Sequence, residues 1–320
     1  MTFSPVTPRR ARRVSGITTV AAVAVWTATG CSPPPPAEEP TGSAAERAWT
    51  IAVGEHPLDQ TIANVYALAL NSRDTPAVVE TSDRGPGDVV TAGESDLVIG
   101  RSMALARELD PEAFGELEQP SSAELLGVIE DSLDEDAQLL EPSSAVLGSS
   151  LVITTVTAQL NEIATEGEVD DPAFAAACDE LRIGVRPDLP EPGPLLAEIY
   201  DCEPAEIVVA EESELINDVI TAELDAAIVT TSHPGIEEQA LIALTDAERA
   251  FPQEQFVPVV SAEVAEEVPG VAVELAQALN EDALVTLRRL VDGEQALSPQ
   301  EAAEYWLVQE GFVAEPEDWG

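Results

Sequence analysis

Lysine is missing from this 320-residue chain, so all 14 of its basic residues are arginines. Histidine is almost as scarce: His56 stands in a Gly-Glu-His-Pro loop and His233 in Ser-His-Pro, and we interpret both as solvated loop residues. The sequence also has no nucleophile elbow, no phosphate loop and no His/Cys set with metal-ligand spacing. We therefore predict no catalytic residue, no metal site and no cofactor, and expect no enzymatic activity.

Positive charge is confined to few positions. Four arginines lie within the first 13 residues, which leaves ten basic residues against 61 acidic ones in the remainder, or a formal charge of about −51. Such a surface repels nucleic acid and anionic lipid headgroups. Two interpretations stay open, a solvated acidic surface or one that steers a cationic or zwitterionic ligand.

Long apolar runs are absent apart from one near the N-terminus. Arginines 9–13 precede an uncharged stretch, 14–29, that is too short to span a bilayer comfortably, which is the layout of a secretory signal peptide. The stretch ends in Ala-Thr-Gly-Cys31, which resembles a bacterial lipobox, and a Pro-rich acidic segment follows. We predict a signal peptide at 1–30, a tether at 31–47 and a lipid on Cys31 as the only attachment to the outer face of the cell membrane. The alternative is an ordinary signal peptide with a chance cysteine.

Beyond Cys31 the only cysteines are Cys178 and Cys202. An even number of cysteines in an oxidising compartment favours one disulfide, which would close a loop of roughly 25 residues and contribute about 3–4 kcal/mol. The alternative is two reduced cysteines in the core.

What the chain has in quantity is alternating strand and helix patterns. Strands are expected at 49–54, 77–80, 96–100, 151–155, 181–185, 207–209 and 225–229. Helices are expected at 57–71, 88–94, 103–109, 121–133, 156–165, 194–200 and 214–222. This alternation predicts an α/β fold with mostly parallel sheets. The tail 262–312 is predicted to be almost wholly helical, with breaks at 269–270, 292–293 and 298–299 and a capping box of Ser298 and Glu301.

The pattern occurs twice, because the runs beginning at Trp49 and at Leu181 each lead to an acid-rich helix end, an Asp and an apolar strand. This weak repeat is compatible with two α/β lobes. In such folds ligands lie at the carboxyl ends of the strands, in the crevice between the lobes.

Several segments resemble one family, the glycine-betaine/choline-type osmoprotectant-binding proteins of ABC importers. The clearest is 244–260, which reads Leu-Thr-Asp, a gap, Phe-Pro and then Pro-Val-Val. Others are 279–292, 298–312, Gly54 with Asp59-Gln60, Gly93-Glu-Ser-Asp96 and Glu141-Pro142. The resemblance spans about residues 48–313.

The resemblance implies a two-lobed periplasmic-binding-protein-like fold with a C-terminal helical segment. Lobe 1 would comprise 48–145 plus 256–320 and lobe 2 would comprise 146–255, with hinges near 141–150 and 253–258. It also implies an extracytoplasmic protein that binds a small solute and delivers it to ABC permease and ATPase subunits. The alternative is a binding-protein-like lipoprotein with a sensory or interaction role and no transport.

The sequence departs from the family where its members supply tyrosines for a quaternary-ammonium cage. At the four matching points it has Gly-Arg-Ser, Ala-Val-Leu, Val-Thr-Thr and Gln-Glu-Gln, none of them aromatic. We therefore predict weak or absent binding of glycine betaine and choline, because each ring face contributes about 0.5–2 kcal/mol to holding a cation. The candidate ligand-binding residues are Asp59, Gln60, Arg101, Ser102, Thr230, Thr231, Glu254 and Gln255, with Arg101 taking a carboxylate. The alternative is that the register is off and these are ordinary loop residues.

Overall fold

Two five-stranded sheets organise the chain in a computed structural model, which describes residues 47–117, 119–164, 168–169, 172–187, 189, 192–246, 250–251, 253–293 and 295–315. The predicted signal peptide, Cys31 and all of the tether except Arg47 lie outside these residues. Arg47 itself forms two hydrogen bonds of 2.6 Å with the carboxylate of Asp96. No helix in the described part of the chain is long and apolar enough to cross a membrane.

Sheet I is built from β1 (Trp49–Val53), β2 (Ala77–Thr81), β3 (Leu97–Arg101), β4 (Ala137–Leu139) and β10 (Phe256–Ser261). Its strand order is β2-β1-β3-β10-β4, and only β10 runs against the others. Short apolar runs such as Leu-Val-Ile in β3 are buried on both faces, as expected for strands covered by helices on each side.

Sheet II repeats this arrangement with β5 (Ser149–Ile153), β6 (Arg182–Val185), β7 (Glu206–Val209), β8 (Ala226–Thr230) and β9 (Ile242–Leu244). The order is β7-β6-β8-β5-β9, with β5 antiparallel to both neighbours. Four strands of five point the same way in each sheet, so the predicted two-lobed, mostly parallel α/β fold is confirmed. We use lobe 1 for sheet I with its helices and lobe 2 for sheet II with its helices.

Helices cover both sheets. Lobe 1 carries α1 (Pro57–Asn71), α2 (Pro86–Ala92), α3 (Ser102–Leu109), α4 (Pro111–Gly115), α5 (Ser122–Ser132), α11 (Val271–Ala278), α12 (Glu281–Asp292) and α13 (Pro299–Gln309). Lobe 2 carries α6 (Thr155–Leu160), α7 (Pro172–Ala177), α8 (Pro192–Tyr200), α9 (Glu212–Ile220) and α10 (Gly235–Glu238). The helix expected to reach residue 165 ends at Leu160, because Glu162 adopts a left-handed φ of 58° that a helix cannot continue through.

Each lobe has its own core. In lobe 1 the apolar face of α1, including Ile62 and Tyr66, packs against Trp306 of α13 and the inner residues of sheet I. In lobe 2 Phe174 and Phe251 lie in one buried cluster with the Cys178–Cys202 pair. The two cysteines are bonded, with Cα atoms 5.4 Å apart, so the predicted disulfide is confirmed.

The C-terminal helices belong to lobe 1. The predicted capping box of Ser298 and Glu301 is present at the start of α13. One break was not expected, at Leu279–Asn280, where the Asn280 side chain accepts a hydrogen bond from the backbone N–H of Ala283 and begins α12. This break makes α12 a separate helix, which carries the arginines that contact lobe 2.

The chain crosses between the sheets twice, after β4 and after β9. The two crossing segments pair with each other: Leu147 and Glu254 exchange backbone hydrogen bonds of 2.7 and 3.0 Å. The hydroxyl of Ser143 also accepts a 3.1 Å bond from the N–H of Phe256. Two adjacent extended segments are the typical connection about which two lobes rotate. The predicted lobe boundaries and hinges stay predictions.

Candidate functional site

Charged and hydroxyl side chains collect at the carboxyl ends of the parallel strands in both lobes. In lobe 1 Arg101 ends β3, and Asp59 lies in the first turn of the helix after β1. In lobe 2 Arg186 directly follows β6, Thr230 ends β8, and Glu212 opens the helix after β7. This edge is where open α/β sheets bind ligands.

Arg101 is the centre of the lobe 1 cluster. Its Nε and Nη2 donate to Oδ1 of Asp59 at 3.0 and 2.7 Å, and Nη1 lies 3.4 Å from Oε1 of Glu254. Its guanidinium stands over the ring of Phe256, 5.7 Å from the ring centre, and Nη2 is 3.3 Å from Nδ1 of His56. A guanidinium between two carboxylates and an aromatic face is strongly held.

Glu254 lies on the second crossing segment, and only 15% of its side chain is exposed. Burial raises the pKa of Glu254 above its usual value, and the Asp59 carboxylate adds to the rise, although Arg101 opposes it. The carboxylate is therefore less stable here than in water, which makes it responsive to any cation that approaches.

A second cluster surrounds Glu212 in lobe 2. Its Oε1 accepts from the backbone N–H of Thr230 and lies 3.9 Å from Nη1 of Arg186, which donates to Ser149 at 3.1 Å. Its Oε2 accepts from the Thr230 hydroxyl at 3.2 Å and from Arg288 Nη2 at 2.8 Å.

Arg288 comes from the other lobe, on α12. Besides Glu212 it bonds the hydroxyl of Thr230 and lies 3.5 Å from that of Ser232, while its Nε donates to Asp292 on its own helix at 3.0 Å. The neighbouring Arg289 also reaches lobe 2, where it meets Glu238 at 2.8 Å and Glu237 at 3.2 Å. Two consecutive arginines of lobe 1 thus hold lobe 2 by ion pairs.

The pKa values of both Glu212 and His233 are lowered in the Glu212 cluster. Burial opposes ionisation of Glu212, but Arg288, the Thr230 N–H and Arg186 together outweigh it and lower the pKa to about 2. Burial and then the positive charge of Arg288 lower the pKa of His233, in spite of Glu212. At neutral pH the cluster therefore contains an ionised glutamate and a neutral histidine.

The remaining predicted ligand residues make backbone contacts. Ser102 is buried and accepts from the N–H of Gln255, whose side chain donates to the Ser143 carbonyl at 2.6 Å. Thr231 is exposed near the Gly148 carbonyl, and Gln60 bonds the Glu55 carbonyl at 3.1 Å. In this structure these four side chains hold the chain segments around the cleft.

The two histidines differ from each other. His56 is half exposed, as expected, and it also caps α1 by accepting from the N–H of Leu58. The interpretation of His233 as solvated is wrong, because only 7% of the residue is exposed. The ring packs against Gly235, where a Cβ atom would lie 3.0 Å from it.

Sequence reasoning missed Arg186, Glu212 and Arg288. Arg186 directly follows a predicted strand, so the expectation that ligands lie at the carboxyl ends of strands could have identified it. Arg288 lies one turn after Leu284 and next to Leu287, and a charge on the apolar face of an amphipathic helix is a detectable signal.

Residues 50–309 match the family described as the substrate-binding domain of ABC-type glycine betaine transport systems. The chain belongs to this family. It is accordingly an extracytoplasmic substrate-binding protein of the ABC-importer class, and a binding protein rather than an enzyme. No curated protein sequence matches the chain.

Solved structures with the same fold have low sequence identity. A glycine betaine/carnitine/choline ABC transporter protein has a TM-score of 0.67 at 14% identity, over 82% of this chain and 99% of that one. Apo YehZ from Escherichia coli has a TM-score of 0.66 at 15% identity, over 83% and 99%. A choline-binding protein in complex with choline has a TM-score of 0.52 at 16% identity, over 83% and 90%. These likenesses show the fold.

Proposed function

We propose that this protein is the solute-binding lipoprotein of an ABC importer of the osmoprotectant class, and that it binds a small polar or zwitterionic solute between its lobes. The observation that carries the proposal is the meeting of charged side chains from both lobes at the strand ends, above all Arg288 of lobe 1 with Glu212 of lobe 2. A solute in such a cleft contacts both lobes and so favours closure.

We further propose that glycine betaine and choline bind weakly. A trimethylammonium group has no N–H to donate and depends on aromatic faces. The four positions that match the family's tyrosines lack rings, and the face of Phe256 is covered by Arg101. The cleft offers carboxylates, hydroxyls and guanidinium groups instead, which suit a solute that hydrogen-bonds at both ends.

Among the predicted ligand residues, Asp59, Arg101, Glu254 and Thr230 have side chains in the two charged clusters, and we propose these as direct contacts. Because Arg101 is already paired with two carboxylates, a solute carboxylate would have to compete with Asp59 or Glu254 for it. Gln60, Ser102, Thr231 and Gln255 would then act by shaping the cleft.

Native mass spectrometry of protein from its host tests for a co-purifying solute. Calorimetry with glycine betaine, choline, ectoine, proline and carnitine then tests the class. Micromolar binding of betaine or choline would refute the weak-binding proposal. The variant Arg101→Ala should weaken solute binding, whereas Arg73→Ala, an exposed arginine of lobe 1, should leave it unchanged.

The lipid anchor is a separate proposal, which rests on the sequence 28–31 and the Pro-rich tether. Cys31→Ala should release the protein or leave an uncleaved precursor. Processing of the wild type that is insensitive to globomycin, together with absence of a lipid label, would contradict it.

A further inference from the structure

The guanidinium of Arg288 bonds Asp292 of its own helix, and all of its other partners belong to lobe 2. Nη2 donates to Glu212 at 2.8 Å, and Nη1 bonds the hydroxyl of Thr230 and lies 3.5 Å from that of Ser232. Only 5% of Arg288 is exposed. A carboxylate flanked by two hydroxyl acceptors matches the fixed fork of guanidinium donors.

The lobe 2 groups that bind Arg288 are held in place by contacts within lobe 2. Glu212 is held from within lobe 2 by the backbone N–H and hydroxyl of Thr230 and by Arg186, whose Nη1 is also anchored on Ser149. Thr230 is the last residue of a central strand of sheet II. When the lobes separate, Arg288 leaves with α12, and an ionised carboxylate with two hydroxyls remains at the strand ends.

We propose that Glu212, Thr230 and Ser232 form a cation half-site that recognises a guanidinium group, and that Arg288 occupies this half-site when the cleft closes without solute. The inference rests on the proposed function in that the solute is taken to enter between the lobes. The solute class that follows is a small guanidino compound, and Arg288 is its tethered competitor.

A quaternary ammonium group is a poor occupant of the same half-site, because it has no N–H for Glu212 or for the hydroxyls. His233 adds a feature beside the half-site. Its Nδ1 accepts from the Gly235 N–H at 3.0 Å, so Nε2 carries the proton of the neutral ring, and this buried Nε2 bonds no residue within the described ranges. This N–H is therefore an unsatisfied donor, and the charges of Arg288 and Glu212 act on the same ring.

Removal of the competitor tests the half-site without knowledge of the natural solute. Purified mature protein carrying Arg288→Ala is heated with methylguanidinium chloride, and in parallel with tetramethylammonium chloride and sodium chloride at the same ionic strength. We expect a saturable rise of the unfolding midpoint of about 3 °C at roughly tenfold excess over Kd, with methylguanidinium alone. Wild type, Arg289→Ala and the double variant Arg288→Ala/Glu212→Gln should show no such rise.

Equal responses to the three salts in Arg288→Ala, or a methylguanidinium response that survives Glu212→Gln, would overturn the proposal. If Arg288→Ala does not fold, Arg288→Ser, whose hydroxyl can donate to Glu212, is measured in the same way with the same two outcomes. Failure of the proposed function is distinguishable: a protein that carries no solute from its host but responds to methylguanidinium retains the half-site. A protein that carries a solute without a guanidino group and shows no response retains the function and lacks the half-site.

Discussion

The two charged clusters of the cleft differ in where their cations come from. Asp59 and Arg101 belong to lobe 1 and Glu254 to the crossing segment that leads into it, so this cluster can form whether or not the lobes meet. Glu212 keeps Arg186 in its own lobe but receives its nearest guanidinium from α12 of lobe 1. The first cluster is therefore part of a lobe, and the second is a contact between lobes.

Ion pairs between arginine and carboxylate therefore have different effects in the two clusters. An ion pair within one lobe stabilises that lobe at all times. An ion pair across the cleft contributes only in the closed state and therefore shifts the balance between open and closed populations.

Glu212→Ala should have the largest effect. The substitution leaves Arg288, whose side chain is 6% exposed, without its carboxylate, and breaking a buried pair in this way destabilises the closed state by about 3–5 kcal/mol. The unfolding free energy falls by at most this amount, because opening of the lobes hydrates Arg288. Urea unfolding measures the loss, and small-angle scattering should show a more open molecule. The control Glu237→Ala removes an 82%-exposed partner of Arg289 and should change stability by less than about 1 kcal/mol.

Acid titration should separate the two clusters by the sign of the effect. The pKa of Glu212 is lowered from 4.5 to about 2, so its ionisation stabilises the fold above about pH 4.5 by roughly 3 kcal/mol, and this is lost as the pH falls towards 2. The pKa of Glu254 is raised, so the folded state holds that proton more tightly than the unfolded chain does, and stability is gained as the pH falls.

The measurement is urea unfolding of the wild type, Glu212→Gln and Glu254→Gln between pH 2 and 7. The advantage of the wild type over Glu212→Gln should shrink on acidification, while its stability relative to Glu254→Gln should improve. Parallel profiles for both variants would show that the clusters are electrostatically equivalent.

Arg101→Ala should have an intermediate effect, about 1–3 kcal/mol, because it leaves the buried Glu254 carboxylate without its guanidinium and the glutamate can respond by taking up a proton. The scattering profile of the ligand-free protein should not change, in contrast to Glu212→Ala. Arg73→Ala is the matched control. Opening of the lobes in Arg101→Ala would break the distinction between the two clusters.

Arg289→Ala should have the smallest effect, below about 1 kcal/mol, although Arg289 crosses the same cleft as its neighbour Arg288. Its side chain is 43% exposed and its partners are 45% and 82% exposed, so water screens both pairs. A loss as large as that of Glu212→Ala would mean that the exposed pair, and not the buried one, holds the lobes together.

Much of the fold could be predicted from the sequence because its signals are local. The alternating apolar runs predicted β1–β3 and β5–β8, and Ser298 with Glu301 marked the start of α13. Short elements such as β4, β9 and α10 escaped prediction, because three or four residues carry too little periodicity to be recognised.

The site was less predictable, because the partner of a polar side chain is often a residue that is distant in the sequence. The positions that match the family's tyrosines led to Arg101, Thr230 and Glu254, which lie in the charged clusters. They also led to Ser102 and Gln255, whose side chains bond the backbone. His233 was interpreted as a solvated loop residue and is buried, since its ring packs against Gly235 and its Nδ1 accepts from the Gly235 N–H.

The sequence by itself contained the pattern of an export signal, favoured a disulfide between the last two cysteines, indicated two α/β repeats and fixed the large excess of acidic over basic residues. Which carboxylate meets which arginine was decided only by tertiary structure. Glu212 and Arg288 are 76 residues apart and lie in different lobes, and no local pattern relates them. Their contact exists because the chain crosses twice between the sheets. The break at Leu279–Asn280 also starts α12 as a separate helix, whose arginines contact lobe 2.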